Sequence, residues 1–597
     1  MIRLKAGLAA AMGMAVAMAF TPSTVHAQAE SGEIVPDQPL AEVPREDTLI
    51  LGWSILQTAL GVTNPWSLPA YTHQNGNGFS WEPLMYFGIF SDQEIPWLAN
   101  SMEYTNDDFT ALRIELNPDA KWSDGEPVTA EDVVFTFDGQ MQYNVLKHHE
   151  NFNQFVESYE AVDDHTVDVT FKIPAPRFKF QVLTQKFDTG ISILPKHGFD
   201  GIEDATQYAG GTEIPHSGPY KTVAWNANQR IMDLRDDWWA AESGLNKLPD
   251  VKRIVIVNLG GTVGQSMDVV AQRLVNNEMD SALDMRSSVI GNILAQNPVI
   301  TTHTGDSSPY GYLDWWPNSL WMNTKLEPFD DPRVRRAASL LINRELINEL
   351  LYEGAEIATI FPFPLYPGIV NFVESDDVQA LIEELDPGRY DPDESARLME
   401  EAGFTLNGDD LWERDGETIN ASIAGFEGIH SDIVPILVEM LRNGGFEASI
   451  NFGADALQQM SDGAPGFYMF GHGASLKDPY TTLELYHSRF SAPVGASSGV
   501  GRFSRYDNPE FDAILDQMAP LSAEDEGFHE LAVQALEIYW RDQIDIPIIQ
   551  WLHRIAYNQT YWTNWPTDEN LGLGMNGAFW AFTGMPMIAN LESTGGN

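Results

Sequence analysis

The chain of 597 residues carries 86 acidic against 34 basic side chains, a formal net charge of -52, and contains no Cys. A surface of that sign repels phosphate backbones and anionic lipid, which excludes nucleic acid and membrane surfaces as expected partners. The missing Cys excludes disulfides, thiol catalysis and thiolate metal sites. With 43% apolar and 11% aromatic residues the chain has the means to pack, and its length exceeds what one core supports, so two or three domains are expected.

In chain order, Arg3 and Lys5 precede an apolar run from Leu8 to Phe20, followed by Val25 and Ala27 with the small-residue spacing of a secretory cleavage site. The run is shorter than the roughly 20 residues a membrane span requires, and no Cys follows it to carry lipid. Residues 1–27 are therefore expected to be a signal peptide cleaved near Ala27, leaving a soluble, periplasmic protein. Residues 48–53 read as a buried strand, and 112–116 alternate as a half-solvated one does, before a turn at Asn117-Pro118-Asp119. Residues 121–128 form a strand with an Asp124-Gly125 turn. Thr129-Ala130-Glu131-Asp132 has the form of a capping box and opens a helix through Val133, Val134 and Phe137. Asp331-Pro332 starts a second helix whose apolar face runs over Val334, Ala337, Ala338, Leu341 and Ile342, with Gly354 as its stop. A third spans 394–402 and ends at Gly403; a fourth, 433–442, precedes Gly444-Gly445 and feeds a strand over 446–451. This alternation implies α/β layers.

Several segments together resemble the family 5 extracellular solute-binding proteins of ABC importers. The most specific is Lys121-Trp122-Ser123-Asp124-Gly125-Glu126-Pro127-Val128-Thr129-Ala130-Glu131-Asp132-Val133, similar to the family's W-S-D-G-x-P-x-T-A-x-D-V signature. Gly218-Pro219-Tyr220 with Trp238-Trp239, Phe329-Asp330-Asp331-Pro332-Arg333, Tyr390-Asp391-Pro392-Asp393 and Tyr506-Asp507-Asn508-Pro509 follow in family order. The resemblance implies an α/β two-lobed periplasmic-binding-protein clamp, class II-like, with an extra inserted subdomain. It places lobe I at 28–82, 212–312 and 554–597, the inserted subdomain at 83–211 and lobe II at 313–553. Chain crossings near 312–321 and 546–554 would be the hinge. It also implies a monomer that delivers its solute to an inner-membrane ABC permease with its ATPase, without cofactor, metal or catalysis.

For the ligand two readings stand. Peptide binders of the family carry a W-x-A-D-Y-x-D/E-P segment whose Asp pairs with the peptide ammonium; here the similar stretch is His472-Gly473-Ala474-Ser475-Leu476-Lys477-Asp478-Pro479, with Ser475 in place of that Asp. A buried ammonium without a carboxylate is unfavourable by several kcal/mol. Aromatic residues near the expected strand ends and hinge favour a β-linked oligosaccharide of cello-, xylo- or manno-type, whose C–H faces lie on indoles while hydroxyls find polar partners. The ending Trp562-Thr563-Asn564-Trp565-Pro566-Thr567 resembles that of the family's oligosaccharide binders. The expected ligand-binding residues are Trp53, Asn75, Trp315, Trp316, Trp321, Asn323, His472, Ser475 and Trp551, with an oligopeptide as the alternative ligand.

Enzyme readings find little support. Gly495-Ala496-Ser497-Ser498-Gly499 has the hydrolase spacing without a strand-to-helix elbow around it, and Gly260-Gly261-Thr262-Val263-Gly264 lacks the Lys of a phosphate loop. A secreted hydrolase is the remaining alternative. A neutral sugar gains little from so acidic a chain, and with only 12 Lys against 22 Arg the composition fits a surface adapted to saline surroundings. Stability followed by thermal unfolding is expected to hold or rise as salt approaches molar levels, and a steep fall would contradict this reading.

Overall fold

A computed structural model describes residues 32–53, 60–67, 76–187, 189–259, 267–282, 285–471, 473, 475–571 and 583–595, with Trp53 described by its backbone alone. The expected signal peptide, Asn75 and His472 lie outside the described residues. No helix among the described residues is long and apolar enough to cross a membrane.

Two mixed sheets, each covered by apolar packing on both faces, form the centres of two lobes. The first has seven strands in the order Ile300–Thr301, Ala556–Asn558, Ser281–Ala282, Thr48–Trp53, Arg253–Asn258, Gln229–Leu234, Tyr220–Trp225. Thr48–Trp53 runs parallel to both its neighbours, with Leu51 opposite Ile256 on one side and Ser281 on the other. Leu49 and Leu51 enter one core while Ile50 packs against another on the opposite face, as the two-residue period of a strand requires.

The second sheet has six strands in the order Ile357–Ala358, Ile546–Gln550, Asn318–Met322, Phe467–Gly471, Ile423–Ala424, Ile450–Asn451. Its four inner strands are buried throughout, whereas the edge strands expose Ile357 and Ile450; Leu320 and Met322 join one core, Trp321 the other, and Phe467 and Met469 part from Tyr468 and Phe470 in the same way. A four-stranded antiparallel sheet, with Ala111–Leu116 and Thr166–Phe171 at its centre, lies between residues 99 and 171 and shares one continuous core with the first lobe.

The local signals of the signature behave as the turn and cap chemistry demands. Gly125 sits at φ 92°, where a Cβ would be strained, and the Trp122 N–H reaches the Glu126 carbonyl at 2.8 Å across the turn. Asp132 accepts from the Thr129 N–H at 2.9 Å and from the Trp122 indole at 3.3 Å, so turn and helix Ala130–Gln142 are bound to each other. The helix expected from Asp331 onward is two: Pro332–Leu340, capped by Asp331, and Arg344–Tyr352, capped by Asn343, whose Oδ1 accepts from the Leu346 N–H. Asn343 is the residue whose short polar side chain breaks the run. The strand expected over 446–451 is confined to Ile450–Asn451.

Where the 99–171 sheet meets the first lobe, a carboxylate holds three tryptophans. Glu82 is fully buried; its Oε1 accepts from the indoles of Trp97 at 2.9 Å and Trp238 at 3.1 Å, and its Oε2 from Trp239 at 2.8 Å. Burial raises the Glu82 pKa, against the pull of the indole hydrogen bonds and Arg235. Each buried donor left without an acceptor costs about 1–3 kcal/mol. Glu82→Ala is therefore expected to lower stability by roughly 3 kcal/mol or more, with Glu82→Gln, which keeps one acceptor oxygen, falling between; thermal unfolding of the two variants checks this.

Candidate functional site

The two lobes are joined by strands that pair with each other. Tyr312 lies opposite His553 and Leu313 opposite Leu552, and the Asp314 N–H donates to the Trp551 carbonyl at 2.9 Å. A Cβ on Gly311 would stand 2.3 Å from the His553 carbonyl oxygen, so only glycine permits this approach. Arg554 clamps the crossing: its Nε donates to Pro309 O at 3.0 Å, and its Nη2 reaches Ala355 O and the Glu356 carboxylate, both at 2.5 Å.

Three tryptophans follow directly from this crossing. Trp315 is half-buried and stacks on Phe187 at 5.7 Å and 20°, with the Lys147 ammonium 5.9 Å from its ring. Trp316, also half-buried, stands edge-on to Phe470 at 4.8 Å and lies over Gly471, where a Cβ would come within 2.2 Å of the indole. His430 lies between Trp316 and Phe426, with ring planes 23° and 27° from theirs; burial pushes its pKa down to about 4 and keeps it neutral. Trp551 is half-buried against the second lobe's core. Trp315, Trp316 and Trp551 thus gather around the crossing, and the backbone of Trp53 ends the strand Thr48–Trp53 of the first lobe.

Three expected contacts are corrected. Trp321 is fully buried, stacked on Tyr486 at 5.2 Å, because every residue of its strand is covered on both faces. Asn323 is 1% exposed and donates to Gly463 O at 3.0 Å, while its Oδ1 accepts from the Lys325 N–H. Ser475 is fully buried, its hydroxyl accepting from the Thr482 N–H at 2.8 Å, so it closes its own loop. In the C-terminal motif, Trp562 and Trp565 are core residues, Trp565 stacking on Tyr557 at 4.9 Å.

The contact that carries the 83–211 region onto the second lobe joins residues about 300 positions apart and has no local signal in the chain. Arg177 extends from this region; its Nε donates to Asp478 Oδ2 at 2.9 Å, its Nη1 to Ala519 O at 3.3 Å, and its guanidinium lies 4.2 Å from the Tyr480 ring centre. Ala519 ends the helix Pro509–Met518, where the dipole favours a cation. Gln181 donates to the Thr481 hydroxyl beside it, and Glu94 takes Lys179 at 2.9 Å. Next to this contact a cavity of 480 Å³ opens between the two bodies, with Lys147, Glu150, Glu484, Arg489, Arg502 and Asp516 on its wall among Phe155, Pro174 and Phe490. Charges of both signs therefore face one volume. Arg177 and Asp478 are 13% and 11% exposed, and removing one partner of a buried pair is strongly destabilising, by about 3–5 kcal/mol. Arg177→Ala is accordingly expected to loosen the two bodies, read as a larger radius of gyration by small-angle X-ray scattering; an unchanged radius would deny the pair a part in holding them together.

Comparisons with known proteins agree with this architecture. Residues 93–492 match the bacterial extracellular solute-binding proteins, family 5 Middle. Among curated relatives, the periplasmic oligopeptide-binding protein OppA of Salmonella typhimurium is 24% identical over 52% of this chain and 55% of its own length, and the oligopeptide-binding protein AppA of Bacillus subtilis 25% identical over 63% and 65%. In these alignments the chain spans between about half and two thirds of the relatives' length. Among solved structures, a periplasmic oligopeptide-binding protein of an oligopeptide ABC transporter from Thermotoga maritima superposes with a TM-score of 0.79 at 24% identity, covering 92% of this chain and 100% of that one. The mannohexaose-bound form of the Thermotoga maritima protein gives 0.74 at 24% identity, covering 93% and 100%. The protein, an α/β clamp of two lobes, belongs to the bacterial extracellular solute-binding proteins, family 5.

Proposed function

We propose that this protein is the exported solute-binding component of an ABC importer, that it closes its lobes around a short peptide, and that it presents the closed form to an inner-membrane permease whose ATPase drives transport. The observation that carries the peptide reading is the charged wall of the interlobe cavity, where Glu150, Asp516, Lys147 and Arg502 line one volume of 480 Å³. A zwitterionic chain with polar side groups finds opposite charges there, whereas a neutral sugar leaves them desolvated without return. The names of OppA and AppA support the same class. Ser475 does not argue against it: its hydroxyl is engaged with Thr482 and Asp478 with Arg177, so an ammonium would be received by Glu150 or Asp516 instead.

Closure follows when ligand touches both bodies only in the closed state. Shifting an open-to-closed ratio from 1:99 to 99:1 requires about 5.5 kcal/mol of preference, within reach of a few charge-assisted hydrogen bonds and desolvated aromatic faces. The protein's part is capture and release, with no bond made or broken.

An oligosaccharide is the second reading. The half-exposed indoles of Trp315 and Trp316 support it, as does the fold shared with the mannohexaose-bound protein. Titration with defined di- to pentapeptides and with cello-, xylo- and manno-oligosaccharides, followed by Trp fluorescence and melting temperature, separates the two. Peptides alone are expected to saturate and to raise the melting temperature. Saturation by sugars alone would overturn the peptide reading, and turnover of either class would overturn the receptor reading.

A further inference from the structure

A second cavity, of 310 Å³, lies between the first lobe and the 83–211 region, and it shares no lining residue with the interlobe cavity. Ser123 and Asp124 of the signature supply one wall, and the segment entering Gly218-Pro219-Tyr220 supplies another. Asp124, Glu213, His216, Lys221, Arg235 and Asp237 face it.

Arg235 is the unusual member. It follows the strand Gln229–Leu234, and its backbone N–H is fixed to Pro219 O at 2.9 Å. Its side chain is 6% exposed, yet the guanidinium makes one long hydrogen bond, from Nη2 to Ser217 O at 3.4 Å, while Nε and Nη1 are buried with no hydrogen-bond partner. The nearest carboxylate oxygen, on Asp237, is 3.8 Å from Nε. Nε and Nη1 lie on different edges of the guanidinium, so each is open to one charge-assisted hydrogen bond rather than to a shared pair, and a carboxylate oxygen of a bound molecule is the acceptor that suits such a donor. His216 Nδ1 is likewise buried and unpartnered at the same cavity.

The charges are sorted by depth. Arg235 lies inside, whereas Asp237 is 65% and Asp124 38% exposed toward the mouth, Asp124 pairing with His197 at 2.8 Å. A simple anion would have to pass three acids on a chain of net charge -52, and a simple cation would meet Arg235 and Lys221. A molecule with a carboxylate at one end and an ammonium at the other satisfies both. The volume stands at the lower end of small-molecule sites, about 300–1,000 Å³, which suits a single amino acid rather than a peptide of several residues.

We propose that this cavity is a second solute site, distinct from the interlobe cleft, which binds a free amino acid with its carboxylate on Arg235 and its ammonium toward Asp237, Asp124 and Glu213. The test is calorimetric titration of the mature protein with glycine and L-serine, with acetate and methylammonium as half-probes. Saturable binding of the amino acids is expected, with each half-probe weaker by roughly tenfold or more. Arg235→Gln should lower amino-acid affinity by at least about tenfold, and leave peptide titrations at the interlobe cleft unchanged. Because Arg235→Gln also disturbs a buried position, the exposed Asp237→Asn provides an independent reading, with a several-fold loss expected and folding preserved. Absence of saturable amino-acid binding, an unaltered affinity in Asp237→Asn, or displacement of the amino acid by a peptide would overturn the site. Because the peptide titration is read separately, failure here leaves the receptor reading standing.

Discussion

The two chain crossings between the lobes are hydrogen-bonded to each other, and the positions of Trp315, Trp316 and Trp551 depend on that pairing. Tyr312–Leu313 against Leu552–His553 is only two residues wide, yet Gly311 allows the backbones to touch and Arg554 fastens the pair to Pro309 on one side and to Ala355 and Glu356 on the other. Arg554 and Glu356 are 6% and 1% exposed, so this ion pair is shielded from salt in a way surface pairs are not. Trp315 and Trp316 leave the crossing one after the other, so their rings are aimed to different sides: one onto Phe187 of the 83–211 region, the other onto Phe470 and Gly471 of the second lobe. The crossing thus fixes two indoles on opposite sides within two residues of each other.

The ion pairs between the two bodies fall into two kinds. Arg286 with Asp432 is exposed on both sides, and a pair of that kind contributes about 0–1 kcal/mol. Arg177 with Asp478 is desolvated, backed by Tyr480 and by the carbonyl end of Pro509–Met518, so its geometry rather than its charge alone decides whether the bodies fit. At the boundary between the bodies Glu94 is shared by two cations, Lys179 at 2.9 Å and Lys477 of the second lobe at 4.0 Å.

Local chemistry was legible in the sequence wherever a few adjacent residues suffice. The Asp-Gly turn, the Thr129 to Asp132 cap and the Asp331-Pro332 helix start all rest on such short patterns. So did the family resemblance, and with it the clamp. The side-chain assignments needed something the pattern does not contain. Asn318–Met322 is buried on both faces, so alternation could not tell whether Trp321 faced a ligand or a core, and Tyr486, its stacking partner, is far along the chain. Ser475 stands where an acid was expected, but its hydroxyl is spent on Thr482, a contact set by the tightness of the loop. The contacts that position the cleft, Arg177 with Asp478 and Glu82 with Trp238 and Trp239, join residues more than 150 positions apart and leave no periodic trace. Trp315, Trp316 and Trp551 lie at the crossing where the reading had them, and their contact with ligand is part of the proposal.

The central claim is that ligand brings the lobes together about the crossing. Since the chain has no Cys, two introduced ones label it uniquely, and Val269 in the first lobe and Leu350 in the second are 63% and 59% exposed. The most direct test is the distance between spin labels at Val269→Cys and Leu350→Cys, measured by pulsed electron resonance as a saturating peptide is added. The account predicts two distances, with the population moving from one to the other as ligand binds; a single distance that does not change at saturation would contradict it.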